Sequence, residues 1–179
     1  MRRLALSLAL CAGLAFPARA EAPPEPADYR QDDYRAPTPA TLAGATVVTT
    51  AEAAQLWHEG KTVFVDVLPH APRPAELPAG TLWHDPPHRT IEKAAWLPEV
   101  GRGALAPETE AYFRAGLEAL TGGDKARPLL VFCKRDCWMS WNAGKRAVAY
   151  GYSHVYWYPE GVEGWADAGL PMTDAEPRP

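Results

Sequence analysis

Cysteine is scarce in this chain, with three in 179 residues, and no apolar run reaches membrane-spanning length. The apolar stretch Leu4–Phe16 is about a dozen residues, whereas a spanning helix needs roughly 20. Arg2 and Arg3 precede it and Ala18-Arg19-Ala20 follows it. This order of charge, apolar run and small-residue site reads as a signal peptide over residues 1–20, cut after Ala20. The twin arginines lack the rest of a folded-export pattern, so Sec-type export to the periplasm is expected. Leu8-Ala9-Leu10 lacks the small residue expected before a lipidated cysteine, so Cys11 leaves with the leader. Only Cys133 and Cys137 remain, in a compartment that permits disulfides. They form one small bridge or stay as two thiols.

An excess of positive charge is missing too. Eighteen Lys and Arg stand against 22 Asp and Glu, and losing Arg2, Arg3 and Arg19 moves the formal net charge from −4 to −7. That argues against nucleic acid or an anionic membrane surface as the partner. Gly144-Lys145-Arg146 lacks the spaced glycines of a phosphate loop. No cofactor fingerprint and no internal repeat is present. We therefore expect no cofactor.

The 159 residues left after cleavage are enough for one domain with a real core. Residues 21–44 contain Pro23, Pro24, Pro26, Pro37 and Pro39 and read as an extended arm. Tyr29 and Tyr34 let that arm lie against the domain. Ala45–Val48 is a strand signal, and residues 50–57 read as a helix capped by Thr49 or Thr50. Thr62–Val67 is a continuous apolar run of the kind found in strands buried on both faces. Residues 69–90 carry six prolines and read as irregular. His84-Asp85-Pro86-Pro87-His88 lies there. Two histidines four apart hold a metal when helical, but Pro86 and Pro87 forbid a helix. They read as surface histidines, and no metal site is expected.

Ala95–Pro98 is a further short strand. Pro107–Leu120 is an amphipathic helix with Tyr112, Phe113, Leu117 and Leu120 on one side, ended by Gly122-Gly123. Leu129–Phe132 is a strand, Ser140–Tyr150 a helix, Val155–Tyr158 a last strand, and Gly161–Ala168 closes the domain. Strands alternating with helices predict an α/β fold with a mainly parallel central sheet flanked by helices on both faces. The domain is expected over residues 45–172, with a flexible tail at 173–179.

The chemistry is expected in Leu129–Ser140. Cys133 ends an apolar strand, and Lys134, Arg135 and Asp136 lead to Cys137, Trp138, Met139 and Ser140 at a helix start. Unpaired N–H groups and the helix dipole there favour a thiolate, and Lys134 and Arg135 add positive charge. The plainer reading of Cys133 is a buried cysteine with no role. Cys137 is the partner that resolves an oxidised Cys133, or one end of a static bridge that stiffens the loop. Trp138 and Trp141 line a pocket or docking face, or pack in the core. Trp157 and Trp165 read as packing residues.

From Leu129 onward the order of residues resembles the C-terminal half of a rhodanese domain. The matching positions are Cys133, Ser140, Ala143, Gly144, Ala147, Gly151, Tyr152, Val155, Tyr156, Gly161, Val162, Trp165, Gly169, Leu170 and Pro171. Val63–Val67, with Asp66, and Ile91–Ala94 resemble the N-terminal half more loosely. The likeness spans roughly residues 45–172. Asp136–Ala143 and Trp96–Gly103 resemble an exported subgroup associated with PQQ-dependent catabolism and a Cys-x-x-Cys-Trp motif. Here the spacing from Cys133 is one residue longer.

The resemblance implies a rhodanese-like fold with Cys133 at the nucleophile position, and Cys133 and Cys137 as the catalytic pair. Lys134, Arg135, Asp136, Trp138, Met139 and Ser140 would form the substrate loop. It also implies sulfane-sulfur transfer or thiol–disulfide exchange. The partners would be a small sulfur donor or protein thiol, and a periplasmic PQQ-dependent dehydrogenase or its cytochrome. Active rhodaneses commonly carry an arginine where this chain has Met139. Its loss argues against phosphate or arsenate chemistry and weakens thiosulfate turnover. The alternative is a non-catalytic binding or assembly module with Cys133–Cys137 as a structural disulfide.

Overall fold

The computed structural model describes residues 22–179, so the expected leader and Cys11 lie outside the described residues. Five parallel strands make the central sheet: β1 (Ala45–Val47), β2 (Val63–Asp66), β4 (Ala95–Trp96), β5 (Leu129–Phe132) and β6 (Val155–Tyr158), in the order β1-β6-β5-β2-β4. The α/β architecture is the one expected from the alternation of strands and helices.

Side chains on a strand alternate between faces, and β5 shows the consequence. Leu129 and Val131 join an apolar cluster with Phe113 and Leu117 of α2 (Pro107–Thr121) and Ala143 and Ala147 of α3 (Trp138–Ala149). Leu130 and Phe132 join the opposite cluster with Ala53 of α1 (Thr50–Glu59) and Val162 and Trp165 of α4 (Gly161–Asp167). Both faces are covered, which explains why β5 is apolar at every position.

Local signals set the helix ends. Thr49 caps α1 in a reciprocal box: its hydroxyl accepts from the Glu52 N–H at 3.3 Å, and the Glu52 carboxylate accepts from the Thr49 N–H at 2.7 Å. The Thr49 N–H, and then the Thr49 hydroxyl donating to the same carboxylate at 2.8 Å, hold the Glu52 carboxyl below its ordinary pKa. Pro107 opens α2, and Gly122 ends it in the left-handed region.

Two expectations fail at the sheet edge. Residues 173–179 are not a loose tail. β7 (Met172–Ala175) pairs antiparallel with β3 (His88–Ile91), and the Arg178 N–H donates to the Trp96 carbonyl at 2.9 Å. His88 is not a surface histidine either, because it opens β3 and its side chain is only 9% exposed. The prolines that forbid a helix stop at Pro87, leaving the chain free to extend from His88.

Residues 22–44 form neither helix nor strand and lie along α3. Trp138 and Trp141 donate their indole N–H groups to the carbonyls of Pro37 (3.2 Å) and Thr41 (3.0 Å). The Asn142 side chain accepts from the Arg30 N–H and donates to the Arg30 carbonyl, both at 2.9 Å. Tyr29 lies 4.0 Å beneath the Arg146 guanidinium.

Candidate functional site

The C-terminal ends of β2, β5 and β6 point the same way, and ligands of open parallel sheets bind beyond such ends. Cys133 follows β5 directly and Cys137 is the N-cap of α3. The two are joined as a disulfide, with a Cα–Cα distance of 6.2 Å, inside the range a bridge requires. Asp136, between them, takes the left-handed conformation at φ 51°. That turn lets a four-residue step close on itself.

Both cysteines belong to the apolar cluster beneath α2 and α3, Cys133 fully buried and Cys137 3% exposed, and they differ in what lies beside them. The Cys133 carbonyl accepts from the Val162 N–H at 2.9 Å. A Cβ at Gly161 would collide with that carbonyl, and Gly161 itself sits at φ 56°, so glycine is required twice over. Cys137 lines a cavity of about 420 Å³ shared with Met139, Tyr34, Leu68, Pro69 and His70.

The loop residues divide by what they touch. The Arg135 side chain turns away from the cysteines, bonding Asp167 and Glu160, each at 2.9 Å. Those two carboxylates, Asp167 first, hold its guanidinium protonated well above the usual range. The expected charge from Arg135 at the thiols is therefore corrected: it is spent on α4. The Lys134 side chain makes no hydrogen bond or ion pair among the described residues and lines a neighbouring cavity of about 340 Å³. Asp136 is exposed.

Ser140 is buried, donating to the Cys137 carbonyl and accepting from the Trp157 indole N–H, both at 3.0 Å. It anchors the loop from below. Trp138 is held by the arm, its backbone N–H donating to the Tyr34 carbonyl at 3.0 Å. With Trp141, Trp157 and Leu42 it forms a third apolar cluster, so these tryptophans are packing.

Sequence reasoning missed a polar cluster at the end of β2. Asp66 is fully buried and its carboxylate accepts three hydrogen bonds: from Thr90 Oγ1 at 2.6 Å, His88 Nε2 at 2.8 Å and the Leu68 N–H at 2.9 Å. The His88 ring stacks on Trp96 at 4.0 Å between centroids, and the Trp96 indole donates to the Leu68 carbonyl at 2.6 Å. These bonds fix Leu68–Pro69, one wall of the cavity at Cys137. The available signal was the spacing of His88 and Thr90, two apart and so on one face of a strand.

Comparison with protein-family models gives no match, and comparison with curated proteins gives none either. Solved structures are similar at low identity. The chain aligns with the polysulfide-sulfur transferase homodimer of Wolinella succinogenes at 24% identity, covering 75% of this chain and 82% of that one, with a TM-score of 0.45. It aligns with an uncharacterised Saccharomyces cerevisiae protein at 21% identity, 70% and 93% coverage and a TM-score of 0.41. A 3-mercaptopyruvate sulfurtransferase from Leishmania major gives 15% identity and a TM-score of 0.45; 78% of this chain aligns, with 39% of that protein's length.

Proposed function

We propose that this chain is an exported rhodanese-like thiol protein whose Cys133–Cys137 pair passes between disulfide and dithiol. The observation that carries this reading is the bond between the two cysteines at the carboxyl end of the central sheet, with one of them lining a cavity. Exchange at such a pair needs an attacking thiolate, a leaving thiolate and access, and no cofactor.

Persulfide transfer is a weaker use of the same loop. It needs Cys133 free, and it benefits from a cation to hold a sulfur oxyanion. Met139 supplies none, Arg135 is engaged by Glu160 and Asp167, and Lys134, unpaired among the described residues, lines a cavity that Cys133 does not. The binding-module reading loses its docking face, because residues 34–41 of the arm already cover Trp138 and Trp141. The N-terminal sequence supports export to the periplasm. The likeness of Asp136–Ala143 to the PQQ-associated subgroup supports an accessory role beside quinoprotein alcohol oxidation, with a dehydrogenase or its cytochrome as partner.

Mass spectrometry of the protein purified from its own export compartment tests the proposal. A mixture of disulfide and dithiol at Cys133 and Cys137, shifting with the redox state of the culture, is expected. A stable extra sulfur atom on Cys133 would instead select persulfide transfer.

A further inference from the structure

Taking the exchange reading above as its basis, we infer that Cys137 is the sulfur that meets the substrate, Cys133 is the buried leaving group, and the substrate is a small thiol bearing an anionic group. The rhodanese likeness of the sequence puts the reacting sulfur at Cys133; the geometry puts access at Cys137. Cys133 is fully buried, lines neither cavity beside the loop, and is closed in by Gly161 and Val162. Cys137 is at the wall of the cavity of about 420 Å³. Attack needs a line of approach, and of the two cysteines Cys137, 3% exposed against 0% for Cys133, is the one that lines a cavity beside the loop.

Cavity size and charge narrow the substrate. A space of this volume takes a small molecule and not a folded partner. Its walls are apolar at Tyr34, Leu68, Pro69 and Met139, and its two arginines differ. Arg102 is held by Glu99 at 2.6 Å. Arg35 is exposed and has neither a carboxylate nor a hydrogen-bond partner among the described residues, leaving its charge for a ligand.

The step balances without another reagent. The substrate thiolate attacks Cys137 Sγ, a bond forms between the two sulfurs, and the Cys133–Cys137 bond breaks. Cys133 takes the electron pair and then a proton from water. A second thiolate attacks the substrate sulfur of the mixed disulfide and Cys137 leaves as a thiolate at the start of α3, where the helix dipole favours an anion. Two thiols have become one disulfide, and the protein pair has gained two electrons.

Glutathione is the anionic probe and cysteamine the cationic one. The full chain is exposed briefly to each, quenched by acid and alkylation, and digested. Trypsin cuts after Lys134 and Arg135, so the two cysteines fall on separate peptides. The glutathione adduct is expected on Cys137. With glutathione disulfide, Cys133→Ser is expected to form its adduct about tenfold faster than Cys137→Ser. Arg35→Ala is expected to lower the preference for glutathione over cysteamine about threefold. An adduct on Cys133 overturns the assignment of sulfurs, and an unchanged preference overturns the anionic substrate. A native disulfide inert to both thiols overturns the exchange reading itself, and this inference with it.

Discussion

Asp66 ends β2 beside Phe132 of β5, one residue before Cys133, so a buried carboxylate and a buried sulfur close neighbouring strands. The carboxylate is tolerated because three donors saturate it. Asp66→Ala leaves His88 and Thr90 without their acceptor and is expected to cost about 2–3 kcal/mol, read by urea denaturation. Asp66 was legible as a strand-ending acid. His88 was not, because Pro86 and Pro87 speak only against a helix and carry no signal for the strand that begins after them. Arg135 was misjudged for a related reason: its partners Glu160 and Asp167 are about 25 to 32 positions away. Tyr150 gives a pH test at the same scale. Burial, then the adjacent Glu110, pushes its phenol up to about 12 from an ordinary 10. The folded state therefore holds this proton more tightly than the unfolded chain does. The stabilisation is complete below about pH 10 and lost as pH rises through about 12. A series of thermal melts across that window is expected to show a falling Tm, smaller in Tyr150→Phe.

At the scale of elements, the arm and α3 act as one unit. Every side chain of α3 from Trp138 to Ala143 is buried, and part of that cover comes from residues with no secondary structure. Trp141 is fully buried with its indole N–H on the Thr41 carbonyl. Trp141→Ala is expected to cost about 3–5 kcal/mol in denaturant titrations. Deleting residues 22–41 is expected to shift tryptophan emission to the red and lower Tm. An unchanged emission maximum would mean the arm is not seated on α3. Proline content marked the arm as extended, and its aromatic residues marked where it attaches. The strands and helices of the main sheet were legible from apolar runs, caps and glycines. β7 was not, since Met172–Ala175 is short, polar and half-exposed. Such a strand exists only because β3 offers an edge, which no local pattern announces.

Across the whole molecule, parallel strands place every loop that carries chemistry at one end. A disulfide spanning only four positions adds modest chain-entropy stabilisation, about 2 kcal/mol. The core beneath it is fully packed on both faces of the sheet. Reduction is therefore expected to leave the fold standing, which is the condition a reversible redox pair must meet. The most direct test is equilibration of the native chain in glutathione redox buffers. Differential alkylation reads the state of Cys133 and Cys137, and near-ultraviolet circular dichroism reads the fold. The account predicts that the pair moves reversibly between disulfide and dithiol with the tertiary signal intact. A pair that stays oxidised until the protein unfolds would contradict it and leave the bridge as a structural staple.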